Sequence, residues 1–170
     1  MKAGDTMNAR DNYFAQLETI IYESNYLYLL YQKYHQRRQW IECVMAFLSG
    51  GCLAAWLLNN KFAMVYATVI VLTQILNSIL PFFEIVKREE ALRQATTEFQ
   101  AVKRQAEIGW RRIDQEDLSD CDIETQMELL VMSEANVMDK LMALGFKDDA
   151  SICTAASSRT DKYITCYLSK

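Results

Sequence analysis

Residues 41–83, IECVMAFLSGGCLAAWLLNNKFAMVYATVIVLTQILNSILPFF, decide the predicted fold because they contain only one acidic and one basic side chain. Three polar residues, 59–61, divide this stretch into two apolar segments, 41–58 and 62–83. As helices with about 1.5 Å of rise per residue, the segments would be roughly 27 and 33 Å long, close to the roughly 30 Å of a bilayer's hydrocarbon core. We therefore predict a two-span transmembrane hairpin with a tight loop. The alternative is a pair of buried central helices in a soluble bundle.

The charges around the hairpin predict its orientation. Several cations precede it and follow it, whereas the connecting loop offers Lys61 alone. Because Lys and Arg accumulate on the cytoplasmic side, both termini should be cytoplasmic. The expected anchors at the membrane interface are Arg37, Arg38, Trp40, Lys87 and Arg88. Glu42 lies within one turn of that interface, where we expect it to reach lipid head groups or to form an ion pair with Lys87 across the hairpin mouth.

Both flanks of the hairpin are predicted to be stalk helices, residues 1–40 and 84–115. Each flank carries apolar side chains at the three-to-four-residue spacing that is typical of amphipathic helices. The first stripe is Tyr13, Leu17, Ile20, Leu27, Tyr31 and Tyr34, interrupted by Ser24, and the second is Leu92, Ala95, Phe99, Val102, Ala106 and Ile113. Because a tight hairpin makes its flanks antiparallel, residues near Tyr13 should meet residues near Trp110. Residues 31–40 should likewise lie beside residues 84–95.

Beyond the stalk, residues 116–148 are predicted to contain a fourth, amphipathic helix. Ser119 or Asp120 is the expected N-cap, and the helix should end near Gly145. Residues 149–170 end in an alternating pattern that suits a short strand, but no second strand is visible, so we expect a mobile or partner-binding C-terminal tail. The predicted fold class is all-α: a two-span transmembrane hairpin extended into a cytoplasmic helical stalk, with a fourth cytoplasmic helix.

The composition disfavours several classes of function. The sequence has no phosphate-binding glycine loop, no nucleophile elbow and no HExxH motif, so we expect no enzyme and no cofactor. With a single histidine and no CxxC pair among five cysteines, we expect no metal site and no disulfide framework. The net charge of -4 also argues against binding to nucleic acid.

Two faces of the predicted spans are candidates for function. The second span carries polar residues on one helical face, at spacings of three, one and three residues: Gln74, Asn77, Ser78 and Pro81. In hydrocarbon such groups need a partner or water, so they either hold helices together or line a water-filled path in an assembly. The first span carries small residues that allow close helix packing: Ala46, Gly50, Gly51, Ala54 and Ala55. Together the two faces favour a homo-oligomer in the bilayer.

This arrangement resembles the SLATT proteins, two-transmembrane effectors that are associated with bacterial nucleotide-signalling defence systems. The resemblance covers roughly residues 10–115. It is carried by YHQRRQW (34–40) before the first span, by NNK (59–61) in the loop and by FFEIVKREEALRQATTEFQAVKRQ (82–105) after the second. It implies a homo-oligomerising, multi-pass protein of the bacterial inner membrane that permeabilises or depolarises the membrane in anti-phage defence by abortive infection. The partners that it implies are the bilayer and a cytosolic sensor or inhibitor protein, or a nucleotide signal.

A function from a different class is also compatible with the sequence. The chain could be a non-conducting, membrane-tethered scaffold whose stalk and methionine-rich fourth helix recruit a cytosolic partner. The two functions differ in one measurable respect, because only the first predicts loss of the membrane potential.

Overall fold

The computed structural model describes residues 8–58, 67–72, 74–75, 84–115, 118–143, 145–146 and 149–168, with side chains at all of these except 48–58, 84 and 85. Four helices are α1 (Ala9–Leu58), α2 (Glu84–Gln115), α3 (Asp120–Met142) and α4 (Ala150–Tyr163), and α4 continues into a π-helical segment, Ile164–Leu168. Residues 67–72 and 74–75 are also helical. No strand occurs in these ranges, which confirms the all-α class.

The chain divides into two compact units. The terminal unit comprises residues 1–30 and 92–170, and the central unit comprises residues 31–91. Both boundaries fall within a long helix, since α1 and α2 each contribute residues to both units.

The terminal unit is built on the predicted pairing of α1 with α2. Tyr13, Leu17, Phe99 and Ile113 are among the stripe residues that are fully or almost fully buried. The ring of Tyr13 stacks on Trp110 with centroids 6.4 Å apart, which confirms the predicted antiparallel register.

The polar break in the α1 stripe has a structural cause. Ser24 is buried, and its hydroxyl accepts a hydrogen bond of 3.1 Å from Nε2 of Gln100 on α2. Since a buried hydroxyl needs a hydrogen-bond partner, Ser24 and Gln100 have to face each other, and they add a polar constraint to the register of an otherwise apolar seam.

A glycine on α2 makes room for the Tyr13 side chain of α1. The phenol oxygen of Tyr13 donates a hydrogen bond of 3.1 Å to the backbone carbonyl of Ala106, across the surface of Gly109. A Cβ at position 109 would overlap the Tyr13 hydroxyl, so any larger residue there would displace a buried ring.

Helix α3 begins and ends as the sequence predicts. Ser119 is the N-cap, its side chain accepts from the backbone N–H of Asp122, and Asp120 and Asp122 lie in the first turn. The chain leaves the helix through Gly145, whose φ of 62° is a conformation that glycine adopts without strain. The side chains of Ile123, Leu130, Val137 and Leu141 form the buried face.

The C-terminal segment is a helix with a buried face, so the expectation of a mobile tail is wrong, whereas partner binding stays a prediction. Asp149 caps α4 by accepting from the backbone N–H of Ser151. The residues Ile152, Ala156 and Thr160, four apart, form a narrow buried stripe. Small side chains let this helix pack closely, which a search for large apolar residues overlooks.

The central unit contains the second half of the long helices. Residues 31–58 of α1 and 84–91 of α2 belong to it, together with the helical residues 67–72 and 74–75. Among the residues that the structure describes, no helix combines the length and apolar character of a membrane span. The proposed loop, 59–61, and most of the second proposed span, 62–83, lie outside those residues.

Candidate functional site in the central unit

A buried carboxylate lies at the centre of the described part of this unit. Glu89 on α2 is only 5% exposed, although glutamate is a residue that is seldom buried without a partner. Its Oε1 lies 2.8 Å from Nδ1 of His35, and its Oε2 accepts a bond of 3.1 Å from Nη1 of Arg38. Both oxygens of the carboxylate therefore contact side chains of α1.

Two further contacts extend this cluster along α1. Nε of Arg38 donates to Oε1 of Glu42 at 2.8 Å, so Arg38 joins two carboxylates. The other ring nitrogen of His35 lies 3.0 Å from the amide nitrogen of Gln39, and the ring stacks on Tyr31. Hydrogen bonds to Glu42 and then to Glu89 raise the pKa of Arg38 further above its ordinary value, which keeps the guanidinium charged. We call His35, Arg38, Glu42 and Glu89 the charge cluster.

The surface of the same helix segment is apolar. Trp40, Val44 and Phe47 are spaced four and three residues apart, and all three are exposed, Trp40 by 73% and Phe47 by 79%. Beside them, Cys43 is also exposed, and Trp40 and Cys43 line a shallow open depression. Large apolar side chains on consecutive turns of one face mark a surface that needs a nonaqueous neighbour.

The helical residues that follow in the chain have the same character. Val71, Leu72 and Ile75 are all about half exposed or more. Within the described part of the central unit, Met45 is the only large apolar side chain that is buried. In the described part of the unit one carboxylate, that of Glu89, is thus buried while large apolar side chains are exposed, which is unusual for a globular domain.

The sequence-predicted site residues have mixed outcomes. Gln74 is exposed beside Ile75, and Ala46 is exposed on α1. Asn77, Ser78 and Pro81 lie outside the described residues, so the polar face stays a prediction. Gly50, Gly51, Ala54 and Ala55 are helical, but the structure describes only their backbone, so their packing stays a prediction.

The predicted interface anchors are surface residues for the most part. Arg37, Trp40 and Lys87 are exposed, whereas Arg38 and Arg88 are partly covered. Glu42 pairs with Arg38, because one helical turn on the same face brings these two side chains together. The ion pair of Glu42 with Lys87 stays a prediction. The acid that joins α1 to α2 is Glu89, which the sequence analysis missed.

A sequence signal for the charge cluster does exist. Glu89 lies three residues before Leu92 and so extends the buried stripe of α2 toward the hairpin. In the same way, Arg38 extends the stripe of α1 beyond Tyr31 and Tyr34. A charge at a stripe position on each of two paired helices, with opposite signs, predicts a buried ion pair between them.

The described residues contain no group of three or more His, Cys, Asp and Glu side chains that could hold a metal ion. Comparison with protein-family models, with curated proteins and with solved structures gives no match.

Proposed function

We propose that the central unit is embedded in the bacterial inner membrane as a two-span hairpin, with both termini in the cytoplasm. The observation that carries this proposal is the distribution of side chains in the described part of the unit. Trp40, Val44 and Phe47 on α1, and Val71, Leu72 and Ile75 further on, are exposed. Glu89 is buried and pairs with the partly exposed side chains of His35 and Arg38.

The energetics of transfer support this assignment. Each large apolar side chain that leaves water contributes about 1.5–3 kcal/mol, so six such residues favour lipid strongly. Charged groups near a membrane pair with each other, as the members of the charge cluster do, and Glu89 among them is also buried. The aromatic ring of Trp40 next to Arg37 and Arg38 is the combination expected at the level of the lipid head groups.

We further propose that the chain is a homo-oligomeric effector that permeabilises or depolarises the membrane during abortive infection. This step rests on the likeness to SLATT proteins and on two features of the sequence. Small residues from Ala46 to Ala55 allow close packing between copies. Gln74, Asn77, Ser78 and Pro81 supply a polar face that water can follow through an assembly.

Two measurements on the full chain test these steps separately. Extraction of membranes with alkaline carbonate should leave the protein in the pellet, and its recovery in the supernatant would reject the membrane assignment. A potential-sensitive dye should report depolarisation when the protein is produced in bacteria together with its genomic neighbours. If depolarisation is absent although the protein stays in the pellet, the effector function is wrong and the hairpin stands.

The polar face has its own test. The double substitution Gln74→Leu with Asn77→Leu should abolish depolarisation while the protein stays in the membrane fraction. Gln105→Leu is the matched control, because Gln105 is exposed on α2 in the terminal unit and should tolerate leucine. Depolarisation that persists in the double variant would place the path elsewhere.

A non-conducting scaffold is the second candidate function. The observation that favours it is on α3, where Leu129 and Met132 are exposed one turn apart and are flanked by acidic Glu128 and Asp139. Such a surface suits a partner with basic and apolar residues. Recovery of a partner that is lost with Leu129→Ser and Met132→Ser, in a protein that never depolarises the membrane, would favour the scaffold.

A further inference from the structure

A cavity in the terminal unit lies outside every feature discussed so far. It has a volume of about 170 Å³ and lies against α1, α3 and the residues that follow α3. Its lining is mainly apolar and is formed by Glu23, Tyr26, Leu27, Leu30, Met138, Leu141, Met142 and Phe146. An apolar cavity of about 150 Å³ in a protein holds one benzene ring, so this one accepts a ring or a short alkyl chain.

One polar atom at this cavity has no partner. Oε2 of Glu23 has less than 1 Å² exposed to solvent and no hydrogen-bond partner in the described chain. A buried carboxylate oxygen without a donor is costly. A ligand in the cavity that carries a hydrogen-bond donor would relieve this cost when the Glu23 side chain turns toward it.

The groups that face Glu23 leave its negative charge uncompensated. Across from it on α3 lies Glu134, which accepts a hydrogen bond from Nε2 of Gln16. The cation in the last turn of α3, Lys140, is held by Glu98 at 2.8 Å. The other ionisable group in the lining is the phenol of Tyr26. The described surroundings of Glu23 thus provide acids and no cation.

Burial, then the negative charge of Glu134 and a hydrogen bond to it, raises the pKa of Glu23 to about 7. Near neutral pH Glu23 is therefore protonated for part of the time. An ammonium group that replaces this proton supplies the same positive charge and a hydrogen-bond donor beside Glu134.

We propose that this cavity binds a small organic cation: a primary ammonium group on an aromatic or short alkyl stem, with the ammonium at Glu23 and the stem among Leu27, Met138 and Leu141. The site is independent of the membrane function proposed above. The methionines suit stems of different shape, because their side chains are flexible and polarisable.

The chemistry of the cavity also excludes other ligands. An anion such as a nucleotide would be repelled by Glu23 and Glu134, and the lining offers it no cation. A neutral alcohol could fill the apolar space, but it would leave the charge of the pair uncompensated.

The proposal is tested by titrating the purified full chain, in a non-ionic detergent, with phenethylamine and hexylamine. Saturable binding should appear by calorimetry and should strengthen from pH 6 to pH 8, since Glu23 loses its proton over this range while the amines stay charged. Hexanol and hexanoate are the matched neutral and anionic probes, and both should bind at least about tenfold more weakly.

Two variants connect binding to the cavity. Glu23→Gln preserves the shape of the side chain and should weaken amine binding at pH 8 by at least about tenfold. Glu128→Gln is the matched control. It removes the negative charge of an exposed acid on α3 that does not line the cavity, and the variant should bind amines like the natural protein. Met138→Phe fills the space and should also weaken binding, and circular dichroism checks that each variant is folded.

Three results would overturn the proposal. The first is no saturable binding at millimolar amine, and the second is equal affinity for hexanol or hexanoate. The third is unchanged amine affinity in both Glu23→Gln and Met138→Phe. Because none of these readouts involves a membrane, they leave the proposed membrane function unaffected.

Discussion

The terminal and central units use the same kinds of side chain in opposite ways. In the terminal unit Phe99 is fully buried, and the ion pair of Lys140 with Glu98 is at the surface. In the central unit Phe47 is 79% exposed. In the ion pair of Arg38 with Glu89, the Glu89 side chain is buried and the Arg38 side chain is partly exposed. The first arrangement is ordinary for a protein in water, and the second is the one on which the proposed membrane hairpin rests.

One uninterrupted helix can belong to two units whose surfaces differ. α1 runs as one helix from Ala9 to Leu58. Along its described side chains, the exposed large apolar residues are Tyr28 in the first half and Trp40, Val44 and Phe47 in the second. The backbone hydrogen bonds of a helix are satisfied internally in either solvent, so the same element can serve both surroundings.

The largest expected effect comes from one substitution made in each unit. Phe99→Ala removes a fully buried ring and should lower the free energy of unfolding by about 3–5 kcal/mol. Phe47→Ala removes an exposed ring and should change it by less than about 0.5 kcal/mol in detergent. Urea unfolding followed by circular dichroism measures both. Equal losses would break the contrast between the units.

The next effect concerns charges rather than rings. Glu89→Gln leaves His35 and Arg38 without their shared carboxylate and should cost about 2 kcal/mol, because the acid is buried although its partners are partly exposed. The control is Glu98→Gln, which breaks a more exposed pair with Lys140 and should cost less than about 1 kcal/mol. The same unfolding measurement applies, and a larger loss from Glu98→Gln would contradict the assignment of an interior to the central unit.

A smaller effect tests the close packing in the terminal unit. Gly109→Ala should destabilise the protein by about 1–2 kcal/mol, since overlap with Tyr13 outweighs the roughly 1 kcal/mol by which alanine favours a helix.

Tyr13→Phe provides the matched partner in a double-mutant cycle. It removes the oxygen that the new methyl group would meet, at the cost of one hydrogen bond to Ala106. The double variant should therefore be more stable than the sum of the two single changes predicts, by about 1 kcal/mol. Simple additivity would show that the helices adjust without strain.

The smallest effect is a pH dependence of stability. Burial raises the pKa of Glu23 from its ordinary 4.5 to about 7, so the folded state binds a proton more tightly than the unfolded state does. The stabilisation is complete below pH 4.5 and is lost as the pH rises through 7, by on the order of 1 kcal/mol after allowance for solvent screening. Chemical unfolding at pH 6 and pH 8 measures it, and Glu23→Gln should remove this component. A slope that is unchanged in Glu23→Gln would assign the proton to another group.

Much of the fold could be predicted from periodicity alone. The spacing of apolar residues on the two flanks placed Tyr13 against Trp110, and the capping pattern placed the start of α3 at Ser119. These predictions succeed because a helix repeats its contacts every three to four residues, so one stripe specifies a whole interface.

The failures have a common physical cause. The helix from Ala150 to Tyr163 buries Ile152, Ala156 and Thr160. Because alanine is small and threonine is polar, one isoleucine alone does not stand out as a hydrophobic stripe. It is held partly by polar contacts that no local pattern specifies, such as the bond of 3.1 Å from Asn25 to Thr160 and the bond of 2.7 Å from Tyr163 to Glu107. Contacts of this kind depend on residues more than 50 positions apart.

The sequence by itself determined the helical class, the antiparallel register of α1 with α2 and the two ends of α3, because each follows from local spacing and capping. Only the tertiary structure decided which charges are buried and with whom they pair. Glu89 with His35 and Arg38, and Glu23 with Glu134, acquire their properties from neighbours on other helices. Burial and electrostatic interaction depend on distance in space, and distance along the chain does not determine either.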